Sequence, residues 1–183
     1  KAAARIVSDI PKGSGGKTVA GIEGSLGMRG RVRYNSYLSQ AKKLYVIDEY
    51  YNSSSLFLDA VATAGLRNEN ILRISYNHIS AGRPDAVYFC ESDVCFAVNN
   101  NLSSRTYEAA GRVNMKRFID PIALEKVKSE LRSNFKIIGA LISNTEDAMK
   151  NAGEYHFLLE EIYRSCMDFT AQNAYCNRFC EKL

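Results

Sequence analysis

Five cysteines, Cys90, Cys95, Cys166, Cys176 and Cys180, are the side chains of this chain whose spacing bears most directly on covalent chemistry. Cys90 and Cys95 end and begin two apolar runs, Ala86–Cys90 and Cys95–Val98, around the polar stretch Glu91-Ser92-Asp93-Val94. In a four-residue hairpin register the two sulfurs face each other and can oxidise to a bridge. Cys166, Cys176 and Cys180 share a 3-4 spaced helical stripe with Leu159, Ile162, Phe169, Asn173 and Leu183, which is expected to be buried. Thiols one turn apart, such as Cys176 and Cys180, point the same way without readily reaching each other, so if both are oxidised, at least one is expected to bond outside the helix to the hairpin, or to Cys166 after local distortion. An odd count leaves one sulfur over or calls for a partner chain. Two alternatives stay open: a four-thiolate zinc set of Cys90, Cys95, Cys176 and Cys180, or buried thiols acting as small hydrophobes. The expectation carried forward is at least one disulfide and no assigned metal. It sets the protein in an extracytoplasmic space: periplasmic, secreted or cell-surface.

Lys12-Gly13-Ser14-Gly15-Gly16-Lys17-Thr18 is the second suggestive run. It resembles the deviant phosphate-binding loop of nucleoside triphosphatases, in which a lysine precedes the glycines and Gly-Lys-Thr closes the loop. Pro11 stands where the standard form has glycine. The resemblance implies ATP and Mg as cofactors of a cytosolic nucleotide-binding enzyme. Lys12, Gly16 and Lys17 would then meet phosphate and Thr18 would hold the metal, with Asp48 as the acidic strand end. Such a loop has to join an apolar strand to a helix. The glycines at 21, 24, 27 and 30 oppose a helix downstream, because glycine costs about 1 kcal/mol per helical residue relative to alanine. The plain reading of the same residues is a flexible turn.

Val46-Ile47-Asp48-Glu49 followed by Asn52-Ser53-Ser54-Ser55 resembles the phosphoribosyl-pyrophosphate loop of phosphoribosyltransferases. There a strand ends in two acids and a small-residue loop holds a 5′-phosphate at a helix start. Ser54 replaces that family's usual glycine. His78 and His156 stand beside no nucleophile in a recognisable pattern. Asn52-Ser53-Ser54 and Asn101-Leu102-Ser103 match the N-glycosylation tripeptide, a pattern that arises often by chance.

Charge is distributed unevenly. Residues 1–43 hold nine basic side chains against Asp9 and Glu23, a balance of +7, so the rest of the chain carries −3 of the +4 total. Arg29, Arg31 and Arg33 alternate along a short strand as an anion-binding patch. The aromatic platforms of single-strand binders are not interleaved with them, so a nucleic-acid partner is not expected.

The elements that position these residues follow from periodicity. Seven of the twelve glycines fall between Gly13 and Gly30, which makes segment 11–30 a glycine-rich, flexible start. Residues 36–51 read as an amphipathic helix, with Leu44-Tyr45-Val46-Ile47 offering a strand instead. Ser53 or Ser54 can cap a helix that Gly65 would close. Residues 71–76 and the two hairpin runs are strands. Pro121 starts a helix to about Ser133. Phe135–Ile142 is apolar enough to be a strand buried on both faces, Asn144 and Thr145 lead into a helix, and Gly153 breaks it before a long helix over about 154–181. No repeat or linker divides residues 1–183, which predicts one α+β domain: a small mixed or antiparallel sheet with packed helices and a long C-terminal helix.

No run approaches the roughly 20 apolar residues of a transmembrane helix. Starting at Lys1 without methionine, the chain reads as a mature or trimmed form. Together these features favour an exported binding or interaction domain, such as a subunit or accessory protein of a surface or secretion assembly, over an enzyme. Its partner would be a protein, with self-association along the C-terminal helix as one form of it.

Overall fold

A computed structural model describes residues 2–22, 24–34, 38–76, 82–99 and 109–181. The order is α1 (Ala2–Val7), β1 (Thr18–Gly21), β2 (Gly24–Gly27), β3 (Gly30–Arg33), β4 (Lys43–Asp48), α2 (Ser54–Arg67) and β5 (Leu72–Tyr76). Then come β6 (Pro84–Phe89), β7 (Val94–Asn99), β8 (Gly111–Asn114), a 3-10 turn Met115–Phe118, α3 (Pro121–Cys166) and α4 (Phe169–Cys180). The fold is α+β, with a six-stranded mixed sheet in the order β1-β5-β6-β7-β4-β8 and a separate β2-β3 hairpin. Within the sheet only β6 runs against the others.

Alternation along the strands builds two apolar faces. On one, Ile47, Leu72, Ile74, Val87, Phe89, Phe96 and Val98 meet Phe57, Leu58 and Val61 of α2 and Ala3 and Val7 of α1. On the other, Leu44, Val46, Ala86, Tyr88, Cys95 and Ala97 gather with Leu38. Tyr88 donates to Asp93 at 2.8 Å, and Lys42 reaches the same carboxylate at 2.7 Å. Burial and that hydrogen bond push the Tyr88 phenol up to about 12.

Four local expectations are corrected. Residues 43–48 are strand: Val46 and Ile47 are both buried, one on each face, and β-branched side chains suit that two-sided setting better than a half-exposed helix. Residues 135–142 are helix, part of the unbroken 46 residues of α3. Its apolar residues serve two different stripes, which blurs the single-face period. Gly153 lies inside this helix, where a Cβ would come within 2.9 Å of Met28 Cβ. It is a contact point for the hairpin and not a break. Gly65 is likewise interior to α2, whose C-cap is Asn68.

Candidate functional site

The glycine loop at 12–18 is built as a seam between the chain's start and the sheet. Gly13 N–H donates to the Asn68 carbonyl at 3.0 Å, while Gly15 and Gly16 both donate to the Glu69 carbonyl at 2.9 Å. Ser14 gives its N–H and its hydroxyl to Glu91 Oε1, at 3.1 and 2.6 Å. The N–H groups a phosphate would need are therefore already engaged, and a carboxylate sits among them. Lys12 pairs with Glu69 at 2.9 Å. Lys17 and Thr18 lead into strand β1, where a phosphate-binding loop needs a helix start. Asp48 ends β4, at the opposite end of the strands from this loop and four strands away, which at the usual strand spacing of about 4.8 Å is roughly 19 Å sideways. Lys12, Gly16, Lys17, Thr18 and Asp48 do not come together.

Glu91 is held below the ordinary carboxylate range, first by the Ser14 hydroxyl and then by the Ile71 N–H at 3.2 Å. A depressed carboxylate pKa contributes stability that is present above its unfolded value of 4.5 and is lost as pH falls through the folded value. Acidification below pH 4.5 is expected to loosen the 12–17 loop, read as faster amide exchange at Ser14 and Ile71. A Glu91→Gln chain, with no charge to lose, should show no such acid step.

The C-terminal ends of β4, β7 and β8 form a second polar cluster. Asp48 accepts from Arg112 at 3.1 Å and from Asn99 Nδ2 at 3.2 Å. Glu49 turns into the start of α2, accepting from the Tyr50 N–H at 2.7 Å, the Ser54 N–H at 3.4 Å and the Ser54 hydroxyl. Ser53 makes no side-chain cap. The strand, two acids and helix start of the phosphoribosyl-pyrophosphate loop are thus present in order. The place its 5′-phosphate would occupy is filled by the chain's own carboxylate. Beside it lies a cleft of about 220 Å³ lined by Glu49, Tyr50, Tyr51, Asn99 and Phe135.

The basic patch is also differently used. Arg31 pairs with Glu146 of α3 through two nitrogens, the second at 3.0 Å, which raises the guanidinium and lowers the carboxyl. Arg29 lies at the hairpin turn, and Arg33 contributes backbone to β3. Arg31 therefore fastens the hairpin to the long helix.

All five cysteines are free thiols in the structure. The turn closes on Phe89 opposite Val94, which places Cys95 opposite Tyr88 and Cys90 beyond the last pair. Cys95 is fully buried, and Cys90 packs against the same apolar face. Cys166, Cys176 and Cys180 are exposed. Among the described residues no three of His, Cys, Asp and Glu converge as metal donors, so the four thiols of the zinc alternative do not assemble. Denatured, unreduced protein is expected to titrate five thiols. Under native conditions Cys166, Cys176 and Cys180 should react rapidly and Cys95 should resist. A shortfall of two in the denatured count would establish a bridge. His156 is exposed on α3, 3.2 Å from Glu160, and His78 and Asn101-Leu102-Ser103 lie outside the described residues.

An extended row of exposed apolar side chains lies on α3. Asp120 caps it by accepting the Ile122 N–H at 2.9 Å, and at 1.5 Å per residue its 46 residues span about 69 Å. One stripe meets the body: Leu124, Lys128, Leu131, Ile142, Glu146 and Met149 are half-buried and Gly153 is buried under Met28. Phe135 adds an edge contact to Tyr51, ring centroids 5.5 Å apart. A second stripe lies beside the first. The 3-4 spacing expected from Leu159 onward extends back through the same helix: Leu124, Val127, Leu131, Asn134, Ile138, Leu141, Thr145, Ala148, Ala152, Tyr155, Leu159, Ile162 and Cys166. From Asn134 on this row is exposed throughout, with Leu141 at 59%, Tyr155 at 75% and Ile162 at 63%.

The expected burial of the C-terminal stripe is corrected accordingly. The sheet's helix-covered face is taken by α1 and α2, and residues 154–181 are exposed throughout. The stripe also bends at Met167, where Asp168 caps α4 through the Ala171 N–H at 3.0 Å. Leu183 lies outside the described residues. Among the described residues no helix is long and apolar enough to cross a membrane. No family model, curated protein or solved structure matches the chain.

Proposed function

We propose that the chain is an interaction module: a sheet body carrying a helical arm, α3 with α4, whose apolar row docks onto a helix of a protein partner. The observation that carries this is the unbroken 3-4 row on α3, whose side chains are exposed from Asn134 to Cys166. Contiguous apolar surface of this kind marks an interaction site, and a 3-4 period is the seam of helix–helix packing. Helices draw most of their stability from packing an apolar face rather than from propensity. The arm's outer half, beyond Gly153, has no such packing among the described residues.

The β2-β3 hairpin supports this reading as the arm's mount. It grips α3 at Arg31–Glu146 and Met28–Gly153 and leaves the second stripe open. The extracytoplasmic setting is a proposal of its own, and free sulfurs at Cys90 and Cys95 lend it no support. Nucleotide binding at 12–18 is not favoured, because the loop's N–H groups are occupied.

The test uses paired charges on the row. Leu141→Glu with Ile162→Glu is expected to leave the body's thermal transition unchanged, since both sites are exposed. It should abolish association, whether self-association in sedimentation velocity or co-purification of another protein with the chain. Association of both kinds surviving at full strength would remove the proposal.

A further inference from the structure

We propose that the occupant of the α3 row is a second copy of this chain, its α3 lying antiparallel to the first and centred near Ser143. This rests on reading the arm as a docking surface and adds the partner's identity and direction.

Volume is the first argument. The row is uneven: Ile138 and Leu141 are large, whereas Thr145, Ala148 and Ala152 are small. In a parallel pair each residue meets its own copy, so three successive layers would hold only methyl and hydroxyl groups and be underfilled. Packed cores reach crystal-like density and disfavour such gaps. Reversed about residue 143, Ile138 meets Ala148 of the second copy, Leu141 meets Thr145 and Asn134 meets Ala152. Each small group faces a larger one through the middle. Toward the ends Val127 meets Leu159, while Leu131 and Leu124, half-buried on their own body, lie level with Tyr155 and Ile162. The 3-4 register is kept at all of these levels.

Charge is the second argument, and it is independent of volume. Residues 121–143 of α3 carry Lys126, Lys128, Arg132 and Lys136 against Glu125 and Glu130. Residues 144–166 carry Glu146, Asp147, Glu154, Glu160 and Glu161 against Lys150 and Arg164. A parallel pair sets like halves together along the arm. The antiparallel pair sets the basic half beside the acidic half. Glu125 is level with Glu161, but Glu125 already pairs with Lys128 at 2.8 Å.

The flanks supply the third. Phe135, Ile142 and Met149, on one flank of the row, are turned toward the chain's own body. Ile137 and Leu158, on the other flank, are exposed at 55% and 60%. Antiparallel pairing sets like flank beside like, which brings the exposed flanks of the two copies together and sets both bodies on the same side of the pair.

The experiment is cysteine cross-linking in the full chain with Cys166, Cys176 and Cys180 changed to serine; all three are exposed. Into this background go Ile138→Cys, Ala148→Cys, or both. After mild oxidation the double variant is expected to run as a covalent dimer on non-reducing gels, and each single variant as a monomer. Sedimentation velocity of the unmodified chain should show a dimer that Leu141→Glu with Ile162→Glu dissolves at least tenfold more readily. Cross-linking of the single variants would establish the parallel pair and overturn the proposal. A monomer that still retains another protein through the row overturns the second copy and leaves the docking reading standing. A monomer that retains nothing removes both.

Discussion

Truncating Phe96 to alanine is expected to lower the unfolding free energy by about 3–5 kcal/mol, the range for deleting a buried ring. Phe96 is completely buried in the middle of β7. It stacks on Tyr45 with centroids 5.0 Å apart and meets the edge of Phe89 at 5.8 Å. Its strand lies between β6 and β4, both hydrogen-bonded to it, so neither neighbour can close into the vacated space without breaking ladder register. Against a total stability of about 5–15 kcal/mol for a domain, the variant should stay folded in water with a third or more of its margin gone in most of that range. Urea denaturation is the measurement, with a lowered midpoint at unchanged slope. Cys95→Ala, one residue away on the opposite face, removes one heavy atom as Ile→Val does and should cost about 1 kcal/mol. Equal losses at the two positions would mean that Phe96 is not the centre of this core.

The body was largely legible before the structure, and the arm only in part. The hairpin at 84–99 announced itself through two apolar runs around an acidic turn, and Pro121 marked the start of α3. Residues 43–48 were ambiguous because one residue in three and one in two both fit a run as short as Leu44–Ile47. The arm misled for a different reason. Phe135, Ile137, Ile138, Leu141 and Ile142 spread over about 160° of the helix circumference at about 100° per residue, since some face the body and others face outward. A helix with two apolar stripes looks locally like a doubly buried strand. Its outward stripe was detectable from Leu159 on by spacing alone. That it was exposed rather than buried depended on where α1 and α2 settled, which no local pattern records.

The loop at 12–18 shows the harder limit. Its glycines look the same whether they wrap a phosphate or a neighbouring backbone. What decides is Glu91, 77 residues away, which takes the Ser14 N–H and hydroxyl. A Cβ at Gly13 would lie 2.4 Å from the Glu69 carbonyl, so that glycine is there for close approach of two backbones. Likewise Glu49 fills the start of α2 from within the chain. In both places an acidic side chain occupies the ground a bound anion would need, and composition cannot distinguish the two.

Two glycines on helices give opposite predictions, and the contrast tests the packing directly. Replacing glycine by alanine inside a helix is favourable by about 1 kcal/mol when nothing else changes. At Gly139, in α3, no atom lies within 4 Å of the added Cβ. Gly139→Ala should therefore raise the helix content and thermal resistance of the arm, with up to about 1 kcal/mol of gain. At Gly65, in α2, the Cβ would come within 2.8 Å of Phe89 Cε1, 3.0 Å of Cζ and 3.2 Å of Leu72 Cδ1. Phe89 is 1% exposed and its ring is backed by Phe96, while Leu72 is fully buried, so neither can swing aside. Overpacking of this kind costs about 1–3 kcal/mol, which exceeds the propensity gain. Gly65→Ala should destabilise the body, and Gly65→Leu, which drives three more carbons into the same ring, should prevent α2 from seating. Circular dichroism of the arm's helicity and denaturant midpoints of the body separate the two effects. A stabilised Gly65→Ala body would mean that α2 stands farther from the sheet than these contacts place it.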